Sequence, residues 1–97
     1  MEEYDNQRNG ANAYIGVCVG RIANRVKDAK MMIDGKEHKL DVNFPSHVSK
    51  ELTHHLHGGF GAFDRKLFTV DKILENGVTF GYVSPDGEDK YPGEIKV

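Results

Sequence analysis

A two-residue turn signal, Asp34-Gly35, most constrains how this chain can fold. It lies between the apolar run at residues 31–33 and a series that alternates at His38, Leu40 and Val42. Asp-Gly tolerates the positive φ angles that the tight turn of a β-hairpin requires, and alternation is the period of a half-buried strand. The segment therefore predicts two antiparallel strands joined by a tight turn.

A second hairpin is predicted closer to the C-terminus. Residues 67–74 form a strand candidate, and Glu75-Asn76-Gly77 turns the chain into Val78, Phe80 and Tyr82, which again alternate. The sequence contains no internal repeat and no long helical pattern, so the fold class is predicted to be all-β and antiparallel. Shorter elements are predicted as well: strands at 14–19 and 95–97, and one turn of helix at 22–29.

Chain length and charge limit the kinds of protein this can be. The 97 residues suit one domain at most. Their formal net charge of −2, from 13 basic and 15 acidic residues, argues against a nucleic-acid surface or an anionic membrane surface, each of which needs a basic patch. No apolar run of 18 residues is present, so no membrane span is predicted.

The beginning of the chain differs in composition from the rest. Residues 1–12 are polar and are predicted to form an N-terminal arm, followed by a domain at 13–97. The acidic start is not typical of a signal peptide, and Cys18 is the only cysteine, so no internal disulfide can form. These features favour a reducing, cytoplasmic location.

The segment Leu56-His57-Gly58-Gly59 carries the strongest functional signal. Histidine gains or loses a proton near neutral pH, and glycines that follow it allow positive φ angles and the close approach of a ligand. A histidine that only caps a glycine turn is the structural alternative.

Two further motifs flank this histidine segment. Gly20-Arg21-Ile22-Ala23-Asn24-Arg25 precedes it, and the loop Ser84–Glu94, which contains Pro-Asp-Gly and Tyr-Pro-Gly, follows it. In this order the three segments closely resemble the aldose 1-epimerases, the galactose mutarotases, from about residue 14 to residue 97. The resemblance implies a partial antiparallel β-sandwich of the galactose mutarotase supersandwich type, truncated at both ends.

The resemblance also implies a reaction: interconversion of the α and β anomers of aldohexoses such as galactose and glucose. A base takes the proton of the C1 hydroxyl, an acid protonates the ring oxygen, and the opened sugar recloses after rotation about C1–C2. The resemblance implies that His57 is catalytic and near the ring oxygen, and that Asn24, Arg25 and His57 bind the sugar. The implied partner is a monosaccharide, and no cofactor or metal is needed.

The chain departs from the family pattern in three places. It is longer than is typical between Arg25 and His57, with the excess at Phe44–His55, and Lys90 stands where the family has glycine. The family's second catalytic histidine, its sugar-binding aspartate and its catalytic glutamate would all lie beyond Val97. We therefore expect this chain alone to be inactive, and a non-catalytic carbohydrate-binding β-sandwich fragment is the alternative.

Histidines allow one further interpretation, a zinc site. Four of them lie close together in the sequence, and neutral imidazole is a common zinc ligand. Adjacent His54 and His55 would point apart on an extended strand, and no suitably spaced cysteine is present, so no metal site is predicted. The four histidines are His47, His54, His55 and His57.

Charged residues of the flanking motifs also have structural interpretations. Asp86, Glu88 and Asp89 could form a carboxylate cluster, but Pro-Asp-Gly is typical of a tight turn, so these acids are predicted to be solvated. Arg21 is predicted to be structural rather than to face a ligand. An ion pair with Asp28 is the structural alternative for Arg25.

Overall fold

The computed structural model of the protein describes Tyr14 and residues 16–97. Within that part of the chain every strand pairing is antiparallel and every helical segment is a single 3₁₀ turn, which confirms the predicted all-β class. The strands are β1 (Arg25–Val26), β2 (Lys30–Ile33), β3 (Lys36–Lys39), β4 (Phe44–Pro45), β5 (Leu52–Leu56), β6 (Thr69–Leu74), β7 (Gly77–Gly81), β8 (Val83–Ser84) and β9 (Ile95–Lys96). The 3₁₀ turns are Lys27–Ala29, Phe63–Arg65 and Glu88–Lys90.

Both predicted hairpins form. Strands β2 and β3 pair with Ile33 opposite Lys36, and the two residues between them have φ angles of 48° at Asp34 and 76° at Gly35. Positive φ at both central residues is the requirement of a type I′ turn. Strands β6 and β7 pair up to Leu74 opposite Gly77. Local turn chemistry therefore determined both connections.

A three-stranded sheet in the order β1-β5-β4 positions the candidate site. Arg25 of β1 pairs with Leu56 of β5, and Phe44 of β4 pairs with His54 on the other side. The side-chain amide of Asn43 extends this pairing, because it donates to the Leu56 carbonyl at 2.9 Å and accepts from the Leu56 amide at 2.7 Å. Residues from three separate sequence segments are thus held side by side.

The strand predicted at 14–19 is wrong. Of the residues described there, none belongs to a strand, and Gly16 has a φ angle of 76°. The Val and Ile content of this segment favoured a strand, but the left-handed conformation at Gly16 is not that of an extended strand. Gly20 lies against the ring of Phe63, and its carbonyl accepts from the Phe63 amide at 3.4 Å. The predicted arm at 1–12 lies outside the described residues.

Within the helical turn predicted at 22–29, only Lys27–Ala29 form a helical turn, and it is 3₁₀. Residues 25–26 are in strand β1, and the 3₁₀ turn Lys27–Ala29 contains positive φ angles of 55° at Asp28 and 49° at Ala29. Those angles do not continue into an α-helix. No helix in the described part of the chain is long and apolar enough to cross a membrane.

The buried core is small. Its apolar members are centred on Phe63 and Tyr91, and the Phe63 ring packs edge-on against Tyr82 at 5.8 Å. In contrast, the hairpin of β6 and β7 presents large apolar side chains to solvent: Val70, Ile73, Leu74, Val78 and Phe80. The described strands therefore leave apolar surface uncovered.

Candidate functional site

His57 and Asn24 are joined by two hydrogen bonds, although they lie 33 residues apart in the sequence. The Asn24 amide donates to His57 Nδ1 at 2.8 Å, and the His57 amide donates to the Asn24 carbonyl at 3.0 Å. Both residues adopt positive φ angles, 67° for Asn24 and 51° for His57. The first two sequence motifs therefore meet at the ends of β1 and β5.

The bond from Asn24 selects one tautomer of the His57 ring. Because Nδ1 accepts a hydrogen bond from a backbone N–H, the neutral imidazole carries its proton on Nε2. The ring of Tyr14 lies edge-on to His57, with 4.7 Å between the ring centroids. The described geometry thus makes Nε2 the N–H donor of the ring.

The two glycines after His57 are required by their surroundings. Gly58 has a φ angle of 90°, and a Cβ at this position would lie 1.7 Å from the carbonyl oxygen of Gly20. Gly59 has a φ angle of 102°, and a Cβ there would lie 2.9 Å from an Asp41 carboxylate oxygen. The turn after His57 is therefore packed directly against the backbone of the first motif.

Arg25 is held at the same end of the sheet. Its Nη1 donates to Asn24 Oδ1 at 2.6 Å, and its guanidinium carbon lies 4.4 Å from the centroid of the Phe44 ring. Asp28, the alternative partner for Arg25, instead lies 4.0 Å from the ring of His54. Asn24, Arg25 and His57, the three residues predicted to bind the sugar, are thus brought together.

Arg21 connects the first motif to the third. Its guanidinium donates five hydrogen bonds of 2.6 to 3.2 Å, one to Ser84 Oγ and four to backbone carbonyls of the loop 84–93. Five N–H donors are the full capacity of an arginine side chain. Arg21 is therefore structural, as the sequence analysis predicted. The accepting carbonyls are those of Ser84, Pro85, Pro92 and Gly93.

His55 is fully buried beneath the glycine turn. Its Nδ1 hydrogen-bonds the Asp41 carbonyl at 2.8 Å, and its Nε2 hydrogen-bonds the Tyr91 hydroxyl at 2.5 Å. Because a carbonyl can only accept, Nδ1–H is the donor and Nε2 accepts from Tyr91. Burial, the main cause, raises the pKa of Tyr91 to about 12, so this hydroxyl keeps its proton at neutral pH.

The neighbouring His54 points away from His55, as alternation along a strand requires. His54 Nδ1 accepts from the Asp28 amide at 3.1 Å, on the other side of β5 from the His55 contacts. Among the described residues, no three side chains of His, Cys, Asp or Glu converge in a way that could hold a metal ion.

The prediction that the acids of the third motif are solvated is wrong for Glu88 and Asp89. Their side chains are only 14% and 16% exposed, and Lys66 Nζ lies 2.9 Å from Glu88 and 3.6 Å from Asp89. Glu88 also accepts from the hydroxyls of Tyr82 and Ser84. The positive φ angles of 49° at Asp89 and 67° at Lys90 turn this segment inward.

These contacts perturb the ionisation of the cluster. Burial raises the pKa of Glu88, but the hydrogen bonds from Ser84, Tyr82 and Lys66 outweigh it and hold that pKa below its ordinary value of 4.5. Burial likewise lowers the pKa of Lys66, and the hydrogen bond and charge of Glu88, with Asp89, outweigh it and raise that pKa above 10.5. The cluster is therefore an ion pair at neutral pH.

Glu88→Gln should make the stability of the chain less dependent on acidic pH. A carboxyl whose folded pKa is lowered stabilises the fold above its ordinary pKa, and this contribution is lost as pH falls through the folded value. We expect the free energy of unfolding, measured with urea at pH 7 and at pH 3.5, to fall less in this variant than in the wild type. At pH 7 the substitution should cost about 2 kcal/mol, because charged hydrogen bonds are lost.

The exposed Glu94 provides the matched control for that measurement. Glu94→Gln removes the same charge from the same loop, and it should leave both the stability at pH 7 and its pH dependence close to the wild type. If Glu88→Gln and Glu94→Gln behave alike, the Glu88 carboxylate does not stabilise the fold through this cluster.

The sequence analysis missed three residues that shape the site. Asn43 locks β4 to β5 through the Leu56 backbone, Asp41 supports the glycine turn, and Tyr91 bonds the buried His55. The Asp41 carboxylate also accepts from the Phe60 amide at 3.4 Å and pairs with Lys90 Nζ at 2.7 Å. No local pattern in the sequence distinguishes Asp41 or Asn43 from ordinary loop residues, and the Tyr-Pro-Gly motif marks Tyr91 without showing its partner, because all three partners are distant along the chain.

Comparisons with known proteins point to one family. The sequence model described as Aldose 1-epimerase matches residues 1–97. The galactose mutarotase of Rattus norvegicus is 48% identical over 84 residues, and the aldose 1-epimerase of Haemophilus influenzae is 36% identical over 85 residues. These matches cover 87% and 88% of this chain, but only 22% and 23% of the two relatives.

Solved structures show the same fold. A GalM/aldose epimerase homologue from C. elegans superposes with a TM-score of 0.70 at 30% identity, over 95% of this chain and 26% of that chain. The galactose 1-epimerase from Lactobacillus acidophilus gives a TM-score of 0.67 at 28% identity, over 98% and 26%. The chain therefore spans about a quarter of the length of the proteins it matches.

Proposed function

Because this chain belongs to the aldose 1-epimerase family, an enzyme family, we propose that its site acts in the interconversion of α and β anomers of aldohexoses such as galactose and glucose. The observation that carries the proposal is the direct hydrogen bonding between His57 and Asn24, with Arg25 beside them. A histidine whose donor nitrogen is defined, next to a planar cluster of donors, suits a ligand rich in hydroxyl groups.

The proposed role of His57 follows from its tautomer. As the bond between C1 and the ring oxygen breaks, its electrons go to the ring oxygen, and the N–H at Nε2 hydrogen-bonds that oxygen and stabilises the charge that develops on it. The C1 hydroxyl loses its proton to a base, the ring oxygen takes a proton from an acid, and the C1 carbonyl of the open aldehyde forms. We assign this base and this acid to none of the described residues.

Asn24 and Arg25 are proposed to bind the sugar. The Asn24 amide group can donate and accept, and the Arg25 guanidinium presents N–H groups in a fixed plane that matches adjacent hydroxyls. These contacts hold the sugar in place while the ring opens and closes, which lowers the entropic cost of the reaction.

We also propose that the protein acts in the cytosol. A single cysteine offers no internal disulfide, which suits a reducing compartment. Fractionation of cells that produce the protein, followed by immunodetection, would place it, and recovery in a membrane or secreted fraction would contradict the proposal.

The 97-residue chain alone should show little or no mutarotase activity, whereas a longer protein should be active. We suggest joining residues 1–97 to the parts of rat galactose mutarotase that precede and follow its matched segment. Catalytic groups act as a unit, so a site with only part of its proton-transfer groups loses nearly all of its rate. Polarimetry on freshly dissolved α-D-galactose measures the approach to the anomeric equilibrium.

For each of the two proteins, one result would contradict the expected activity. If the joined protein unfolds cooperatively yet equilibrates galactose only at the buffer rate, the proposed function is wrong. If the 97-residue chain alone equilibrates galactose well above the buffer rate, it is a complete catalyst and needs no further groups.

A further inference from the structure

We propose that Phe44 is a positioning residue for Arg25, and that it thereby tunes the affinity of the site for the sugar. Phe44 opens the segment 44–55, where the sequence analysis expects this chain to be longer than the family pattern between Arg25 and His57. The inference rests on the proposed sugar-binding role of Arg25. Phe44 lies outside the three sequence motifs, so a residue of this segment contributes to recognition of the sugar.

Two contacts restrain the guanidinium of Arg25 in complementary ways. The Phe44 ring lies under its charged plane, with 4.4 Å from the guanidinium carbon to the ring centroid, well within the range of a cation–π contact. At its edge, Nη1 donates to Asn24 Oδ1 at 2.6 Å. A flat aromatic face leaves the edge N–H groups of an arginine able to donate, so stacking and sugar binding are compatible.

Phe44 is itself held firmly enough to serve as a support. Its backbone pairs with His54 of β5, and the preceding Asn43 amide donates to the His54 carbonyl at 3.0 Å. The Asn43 side chain makes two further bonds to the backbone of Leu56, next to His57. The ring of His47 lies edge-on to Phe44 at 6.1 Å. The aromatic face is therefore fixed to β5, the strand that ends directly before His57.

The physical gain is one of preorganisation. Arg25 is an exposed side chain, and a long side chain of this kind loses rotamer entropy when it orders around a ligand. A guanidinium already stacked on Phe44 has less freedom left to lose, so sugar binds more tightly. Leucine in place of Phe44 would keep apolar volume but would have no aromatic face.

The test compares Phe44→Leu and Phe44→Tyr in the joined protein described above. We expect Phe44→Leu to raise the KM for galactose about two- to fivefold, the effect of one exposed cation–π contact. Phe44→Tyr should restore the wild-type KM, because tyrosine keeps the aromatic face. Val48→Ala, at a residue of the same segment that is 94% exposed, is the matched control and should leave KM unchanged.

A double-mutant cycle shows whether Phe44 acts through Arg25. In an Arg25→Lys background the compact ammonium cannot stack in the same way, so Phe44→Leu should have much less effect than in the wild type. A purely structural role of Phe44 would persist in both backgrounds. If Phe44→Leu leaves KM unchanged, or raises it equally in both backgrounds, the inference is overturned.

Proton NMR tests the contact between Phe44 and Arg25 without kinetics. Proton NMR of the wild type should show the Arg25 side-chain methylenes shifted upfield by the Phe44 ring current, and an unshifted spectrum would contradict the contact. If Phe44→Leu does not fold, Phe44→Met replaces it in the cycle. Absence of any galactose turnover in the joined wild type would instead overturn the proposed function, which distinguishes the two failures.

Discussion

His57→Asn in the joined protein should lower kcat for galactose about 10²- to 10³-fold, the usual cost of removing one hydrogen-bond donor to an oxygen on which charge develops. Asparagine can still accept the hydrogen bond from the Asn24 amide, but it has no group at the position of Nε2 to donate to the ring oxygen. We expect KM to change far less than kcat. Polarimetry at several galactose concentrations separates the two constants.

His57→Gln is the matched variant for this experiment. Its amide nitrogen reaches close to the position of Nε2, so it keeps a donor for the ring oxygen. We expect His57→Gln to keep more turnover than His57→Asn does. If His57→Asn keeps kcat within about threefold of wild type, below the range for a lost donor, His57 is only a structural turn residue.

Gly58→Ala should destabilise the chain by about 2–5 kcal/mol, from the sum of two costs. A side chain at a φ angle of 90° is strained, and its Cβ would lie 1.7 Å from the Gly20 carbonyl oxygen, which belongs to the backbone and cannot rotate away. The turn after His57 and the first motif would have to separate. Urea unfolding followed by circular dichroism measures the free energy of unfolding.

Substitutions at two other glycines separate the cost of backbone strain from the cost of the close contact. Gly87 has a φ angle of 83° but open space around its Cβ position, so Gly87→Ala should cost only the backbone strain, about 1–2 kcal/mol. Gly77 has open space as well, with no positive φ, so Gly77→Ala should stay within about 0.5 kcal/mol of wild type. If Gly58→Ala is no worse than Gly87→Ala, the close contact with Gly20 does not exist in solution.

The hydrogen-bond pattern gives each motif a different function. The first motif contributes Asn24 and Arg25 to the site and uses Arg21 to bind the third motif. The third motif contributes Tyr91, which supports the glycine turn from below through His55. Substitutions in the loop 84–93 should therefore disturb His57 through Tyr91, His55 and the glycine turn.

Lys90 shows how one departure from the family pattern is accommodated. It stands where the sequence analysis expects a glycine from the family pattern, and it adopts a positive φ angle of 67°. Such a conformation costs a side-chain-bearing residue about 1–2 kcal/mol relative to its ordinary backbone. Its Nζ forms an ion pair with Asp41 at 2.7 Å, which offsets part of that cost.

Much of the fold could be predicted from short-range patterns. Asp34-Gly35 and the segment 75–77 determined the two hairpins, because turn geometry depends on the φ angles that adjacent residues tolerate. The opposite orientations of His54 and His55 likewise follow from the period of a strand. The strand predicted at 14–19 was wrong because Gly16 adopts a left-handed φ angle of 76°, which β-propensity does not anticipate.

The sequence by itself determined the all-β class and the motifs that identify the family. Only the tertiary structure decided that His57 Nδ1 accepts from Asn24, that Glu88 is paired with Lys66, and that Arg25 lies on Phe44. The physical reason is the distance along the sequence between the groups that determine each feature. A turn depends on neighbouring residues, whereas the tautomer of a ring or the burial of a carboxylate depends on groups that folding brings together from distant parts of the chain.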